Sequence, residues 1–132
     1  MAAVYEIEGQ VMFFRFETED ALMPEAYSAT VLDDLRRVAK TGPVGLMATI
    51  STGVKVVNPT VLAYWLKNVQ DRSLRISAIA VVSQRLAIRI AVQSFSQAAK
   101  VLGVNLEMRC VSELAEARAW LQERLTARAA TG

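Results

Sequence analysis

The residues best suited to chemistry in this chain are cations that follow one another without an intervening acid. Between Asp71 and Glu107 the sequence contains no carboxylate and five cationic residues: Arg72, Arg75, Arg85, Arg89 and Lys100. Clustered guanidinium and ammonium groups attract carboxylates and phosphates through charge-assisted hydrogen bonds. The stretch therefore predicts a binding surface for an acidic protein partner, a phosphate group or an anionic lipid head group. The alternative is a solvated helix face whose charges pair with acids elsewhere in the chain.

The charge bias extends to the whole chain. Residues 1–66 contain five Lys or Arg and eight Asp or Glu, a balance of −3, whereas residues 67–132 contain ten and five, a balance of +5. The net charge of +2 is too small to indicate a nucleic-acid binder. We therefore predict no nucleic-acid partner.

Residue types exclude most catalytic and metal chemistry. The chain has no His and one Cys, which excludes Ser-His-Asp and Cys-His machinery, His-ligated metals, a zinc ribbon and an internal disulfide. Asp33 and Asp34 stand beside Arg36 and Arg37, as is typical of an exposed helix face. The six Gly residues are dispersed and form no phosphate-cradling motif. We predict no enzymatic activity, no metal and no cofactor.

Length and composition indicate one globular domain. With 132 residues, 53% of them apolar and 21% charged, the chain is long enough for one core but too short for two. We predict a single domain over residues 1–132, with a core from about 4 to 125 and a frayed tail over 126–132. No apolar run approaches the roughly 20 residues of a transmembrane segment. The N-terminus has no secretory signal, so we expect a cytoplasmic protein.

The elements that must position these residues alternate between strands and helices. Strands are predicted where apolar residues alternate or form short bounded runs: residues 4–8, 11–17, 44–51, 76–83 and 106–111. Helices are predicted where apolar residues recur at helical spacing: residues 24–40, 59–70, 84–102 and 113–125. Gly9-Gln10 predicts a tight antiparallel hairpin, and Asn58 and Pro59 are typical of a helix start. The order β-β-α-β-α-β-α-β-α predicts one α/β domain with a mostly parallel central sheet and flanking helices.

The helix predicted over residues 84–102 is too apolar for an ordinary outer helix. Its polar residues fall near one stripe, and apolar residues cover most of its circumference. Either the helix is wedged between neighbouring helices, or its outer apolar flank meets a second subunit. The second alternative predicts a homodimer whose interface includes Leu86, Ile90 and Phe95.

This order of elements resembles the STAS fold of anti-sigma-factor antagonists. Two local stretches resemble the SpoIIAA-like branch of that superfamily: the apolar segment 75–83 ahead of a long helix, and the ending 112–121 with its Ala-x-x-Trp-Leu helix. These are mainly packing motifs, so they imply fold more than function. The resemblance implies a non-enzymatic regulatory module that binds proteins. The related SEC14-type lipid-binding domains imply the alternative of a binder for a small apolar or lipid-like ligand.

Phosphorylatable members of this family carry an Asp-Ser-Ser-Gly-like motif at the start of the helix after the third strand. The order of elements places that site where Asn58 replaces the Asp and Pro59 replaces the phosphoacceptor. Pro59 has no hydroxyl, so only Thr60 could accept phosphate there. Ser51 and Thr52 resemble part of the motif, but they lie several residues too early. The resemblance thus implies a lost phosphoswitch, with these three hydroxyl residues as the remaining candidates.

Overall fold

The computed structural model describes residues 4–18, 29–55 and 57–131. Its strands are β1 (Val4–Glu8), β2 (Val11–Phe16), β3 (Val44–Ile50), β4 (Ile76–Val82) and β5 (Glu107–Val111). Its helices are α1 (Ala29–Ala39), α2 (Pro59–Val69), α3 (Leu86–Val101) and α4 (Leu114–Thr131), and a short 3-10 helix (Arg72–Leu74) precedes β4. The predicted α/β class and order of elements are confirmed. Across the described residues, no helix combines the length and apolar character needed to cross a membrane.

The described strands form one mixed sheet in the order β1-β2-β3-β4-β5. β1 runs antiparallel to β2, and the neighbours from β2 to β5 are parallel. Gly9 makes the tight reversal between the first two strands with a φ of +57°, which glycine adopts without steric cost. Because carboxyl ends of parallel strands meet at one edge of a sheet, the loops that follow β3, β4 and β5 share that edge.

Helices cover the two faces of the sheet unequally. On one face, side chains of α1, α2 and α3 join those of the strands in the larger core cluster. On the other face, a smaller cluster packs Met47, Ala78 and Ala80 against Ala117 and Leu121 of α4. All seven residues of β4 are buried, as expected for a central strand covered on both faces.

The predicted start of α2 is confirmed in detail. Asn58 lies in extended backbone, and its Oδ1 accepts a hydrogen bond from the Thr60 N–H at 2.8 Å. Pro59 occupies the first helical position, where its missing N–H leaves no bond unmade.

The starts of the first and third helices were predicted at residues 24 and 84. The start of the first helix, predicted at residue 24, lies outside the described residues. α3 begins at Leu86, two residues later than predicted. Arg85 is extended and its N–H donates to Ser83 Oγ at 3.2 Å, so Ser83 organises the turn before the helix rather than its first residue.

α4 continues to Thr131, beyond the end predicted at residue 125 and through most of the predicted tail. Arg128 holds this end of the helix through tertiary contacts. Its Nη2 donates to Asn105 Oδ1 at 3.1 Å, and its Nε lies 3.8 Å from a carboxylate oxygen of Glu107. These partners come from the loop before β5 and from β5 itself, so local composition does not reveal them.

Candidate functional site

The structure divides the five cations of the acid-free stretch among three places. They are Arg72 with Arg75 before β4, Arg85 before α3, and Arg89 with Lys100 on α3. β4 runs between the first two places, so they lie at opposite ends of this strand. The five residues therefore do not form the single basic surface that their order in the sequence predicts.

Arg75 has a structural role. Its Nη1 donates to Ala39 O at 3.0 Å, at the end of α1. Its carbonyl oxygen accepts hydrogen bonds from Val44 N at 2.9 Å and Ser77 Oγ at 3.1 Å. With a φ of +48°, Arg75 also adopts a left-handed conformation that is uncommon for residues other than glycine. These contacts tie α1, β3 and β4 together and leave this guanidinium engaged within the fold.

Arg85 connects the loops that follow β3 and β4. Its Nη2 donates to Thr52 O at 2.7 Å. In the same turn, Ser51 Oγ donates to Glu17 O at 3.0 Å and accepts from Gly53 N at 3.2 Å. A Cβ on Gly53 would lie 2.7 Å from Glu17 O, so the turn requires glycine. Ser51 and Thr52 thus build a closed turn at the carboxyl edge of the sheet.

The candidate phosphoacceptors belong to two different local elements. Thr60 lies in the first turn of α2 with an exposed side chain, and its N–H is bonded to Asn58. Ser51 and Thr52 belong instead to the turn after β3, where Ser51 is half-buried and Thr52 is exposed. The hydroxyl at the family's switch position is therefore part of a helix start, not of the Ser-Thr-Gly turn.

An apolar cavity of about 110 Å³ lies between the sheet and the helix pair α2 and α3. Every residue that lines it is apolar, and the walls include Phe14, Leu46, Trp65, Ile79, Val81 and Phe95. The rings of Phe14 and Trp65 meet edge to face with centroids 5.8 Å apart. A water molecule in such a site would lack hydrogen-bond partners, so the cavity suits a small apolar group.

The three residues of the interface predicted for α3 differ in exposure. The side chain of Phe95 is 6% exposed, whereas Leu86 and Ile90 are 69% and 51% exposed. Phe95 shares the inward side of the helix with Ile88 and Val92 at i, i+4 and i+7 spacing, so it packs on the sheet. Leu86 and Ile90 lie half a turn away and face outward. One side of the helix is therefore covered by its own subunit and the outer side is open, and contact of that outer side with a second subunit stays a prediction.

Tyr5, Asp34 and Cys110 could act as an acid, a base and a nucleophile, but each has a structural partner. Asp34 accepts from the Tyr5 hydroxyl at 2.8 Å and pairs with Arg37 at 3.0 Å. Burial, together with this hydrogen bond, raises the pKa of the Tyr5 hydroxyl above its ordinary value. Burial also raises the pKa of the Cys110 thiol, and nearby Arg89 offsets part of that rise. A raised pKa keeps a thiol protonated and weakly nucleophilic.

A groove of about 620 Å³ follows β5 along the side of α3. We call it the edge groove. Its lining contains Arg89, Val92, Gln93, Ser96, Gln97, Lys100, Met108, Arg109, Cys110 and Glu116. Arg109 was missed in the sequence because it lies beyond Glu107, outside the acid-free stretch. Its position on the last strand of a parallel run is the signal that could have placed it at a sheet edge.

Element order, the mixed sheet and the placement of the helices define a STAS-like class of α/β domain. The family model described as SpoIIAA-like matches residues 13–122, and the chain belongs to this family of STAS-related anti-sigma-factor antagonists. The resemblance predicted from the sequence is confirmed. Neither curated proteins nor solved structures gave a significant match.

Proposed function

We propose that the protein is a non-enzymatic regulatory module that acts by binding other protein chains. Its membership of the SpoIIAA-like family supports this proposal. The observation that carries it is the outer side of α3, where two large apolar side chains, Leu86 and Ile90, lie one turn apart and remain exposed. Apolar surface of this kind next to cations is typical of protein contacts. A pull-down from native cells, with the intact domain and a Leu86→Glu variant as baits, tests the proposal. A bait that retains no protein partner in either form contradicts it.

We propose that the family's phosphoswitch is lost in this chain. Pro59 has no hydroxyl, and the Asn58 side chain already caps the N–H of Thr60. This is ordinary helix-start chemistry. After incubation with native lysate and ATP, phosphosite mapping by mass spectrometry is expected to find no stoichiometric phosphate on Thr60, Ser51 or Thr52. Stoichiometric phosphate on any of the three overturns the proposal.

We propose further that the outer side of α3 joins two copies of the chain in a homodimer. Specific dimers bury more than about 1,000 Å² in total, so Leu86 and Ile90 would form the centre of the interface. A carboxylate buried there without a partner is costly, whereas in water it is tolerated. Sedimentation at tens of micromolar is expected to show a dimer that Leu86→Glu converts to a folded monomer.

Leu114 provides the matched control for this experiment. It is a large apolar residue that is 46% exposed, and it lies on α4 rather than on α3. Leu114→Glu makes the same substitution and should leave the dimer intact. A monomeric unmodified protein, or equal dissociation by both substitutions, contradicts the homodimer.

The apolar cavity favours a second function, the binding of a small apolar or lipid-like ligand. With about 110 Å³ enclosed by apolar side chains, it can accept a compact group of a few carbon atoms or one end of a longer chain. Native mass spectrometry of the purified protein tests this function. In an Ala48→Leu variant the larger side chain fills part of the cavity. An apolar ligand that co-purifies with the unmodified protein but not with this variant supports ligand binding. A protein of bare chain mass favours the first function.

A further inference from the structure

β5 presents an open edge of the sheet. In the part of the chain that the structure describes, β4 is its only strand partner. Val111 O accepts from Ser83 N at 2.9 Å, so Val111 directs its main-chain groups toward the β4 side. In a parallel ladder, each residue directs both its N–H and its C=O to one side of the strand, and the next residue directs them to the other side. Met108 and Cys110 therefore direct their main-chain groups outward, as a template for a further strand.

The edge groove runs beside these outward groups and has the length of a short extended segment. Its α3 wall is a stripe at helical spacing, from Arg89 through Gln93 and Ser96 to Lys100. Eleven residue steps along a helix span about 16 Å. The five residues of β5 span about the same length as a strand. The two walls match, so an extended segment of about five residues fits between them.

The charge of the edge groove selects the chemistry of that segment. Three cations line it, Arg89, Lys100 and Arg109, against one carboxylate, Glu116. None of these cations forms an ion pair with another described residue. A group of cations without ion-pair partners favours an anionic partner and disfavours a basic one.

We propose that an acidic, extended segment of a partner protein adds to β5 as a sixth strand and occupies the edge groove. Main-chain hydrogen bonds to Met108 and Cys110 supply affinity, and carboxylates beside the three cations supply specificity. This inference deepens the proposed function, since it assigns chemistry and geometry to a protein partner. It uses a surface other than Leu86 and Ile90, so either proposal can fail while the other stands.

A peptide titration tests the inference with the full chain labelled with ¹⁵N. The probe is an eight-residue peptide of alternating Glu and Val, blocked at both ends. We expect saturable binding with a Kd below about 1 mM, and slower hydrogen exchange of the Met108 and Cys110 amides in the complex. The same peptide N-methylated at alternate residues keeps its charge but loses main-chain donors, and it is expected to bind at least tenfold more weakly.

Matched charge reversals locate the binding site. Arg89→Glu with Lys100→Glu should weaken binding at least tenfold. The control pair is Lys67→Glu with Arg72→Glu, which reverses the same number of exposed cations outside the edge groove. Binding should fall less than threefold in the control. Both double variants should fold, because all four side chains are exposed and none lies in the core. Circular dichroism checks this expectation.

Four results overturn the inference. They are the absence of saturable binding, equal binding of the N-methylated peptide, equal loss in both double variants, and protection of amides elsewhere instead of those in β5. A second copy of the chain is the competing occupant of the edge. If a dimer persists in the Leu86→Glu variant and the Arg89→Glu and Lys100→Glu reversal abolishes it, self-association at the edge replaces the acidic partner.

Discussion

The two faces of the sheet differ in the size of their side chains and in the number of helices that cover them. α4 lies against the middle of one face, and the strand residues beneath it are small. Ala78 and Ala80 are fully buried there, and a Cβ on Gly45 would lie 3.0 Å from Leu125 Cδ1. A single helix can seal this face only because small side chains let its backbone approach closely. The residues directly beneath α4 are therefore closely packed at Gly45, Ala78 and Ala80.

The opposite face carries larger side chains under three helices. Phe14 alone contacts three other rings, with centroid distances of 5.7 Å to Tyr5, 5.6 Å to Phe16 and 5.8 Å to Trp65. The cavity of about 110 Å³ lies on this face, and so does the helix with the exposed apolar pair. One face is thus packed closely around small side chains, whereas the other contains the apolar cavity and the exposed apolar pair.

The largest loss of stability is expected from a substitution on the face of the sheet that α4 covers. Leu121 is 1% exposed and belongs to the smaller cluster. Leu121→Ala should lower the free energy of unfolding by about 2–5 kcal/mol, since it removes buried methyl groups and leaves a cavity. Leu114, on the same helix but 46% exposed, is the control, and Leu114→Ala should cost less than about 1 kcal/mol. Equal losses in urea unfolding would contradict the assignment of this face to α4.

A matched pair of enlargements tests the difference in packing directly. Ala80 is fully buried in the smaller cluster, and Ala48 lines the cavity on the opposite face. Ala80→Leu should lower the free energy of unfolding by about 1–3 kcal/mol because it overpacks a filled space. Ala48→Leu should change it by less than about 1 kcal/mol in either direction, since the cavity can accept the added atoms. If chemical denaturation shows the same loss for both, the two faces do not differ as described.

The smallest effect concerns the polar contacts that close the three-helix face beside β4. Asp71 accepts from Ser73 Oγ at 2.6 Å and Ser73 N at 2.9 Å, and it lies 3.8 Å from Arg36 of α1. The two hydrogen bonds from Ser73, with a smaller contribution from Arg36, hold the pKa of Asp71 below its ordinary value of 3.8. A carboxyl group whose pKa is lowered by folding stabilises the fold above the unfolded pKa, and the contribution disappears as pH falls through the folded pKa.

Asp71→Asn should therefore be less stable than the unmodified protein at pH 7, by less than about 1 kcal/mol because the carboxylate is solvent-screened. The difference should shrink below about pH 4 as the native carboxyl becomes protonated. Ser73→Ala, which removes the hydroxyl donor, should change stability in the same direction. A difference between Asp71→Asn and the unmodified protein that grows toward low pH would refute this account.

Much of the fold follows from local patterns in the sequence. Alternating residues on both sides of Gly9 predict the β1–β2 hairpin, because a strand presents opposite faces at successive residues. Asn58 and Pro59 predict the start of α2 from capping chemistry alone. The run of β4, in which Ser77 is the only polar residue, predicts a central strand, since a strand covered on both faces has few polar positions. Each of these signals depends on a few neighbouring residues, so the sequence by itself was sufficient.

The positions of the cations relative to one another depend on tertiary packing. Arg75 and Arg89 belong to one acid-free stretch, yet Arg75 is bonded to the end of α1, whereas Arg89 lines the edge groove with Arg109. Their separation depends on the direction of β4 and on the order of strands, which hydrophobic periodicity does not encode. The helical tail of α4 has the same explanation: Arg128 reaches Asn105, 23 residues earlier in the chain. Local patterns record whether a side chain is buried, but the partners of an exposed charge are set by elements distant in sequence that packing brings together.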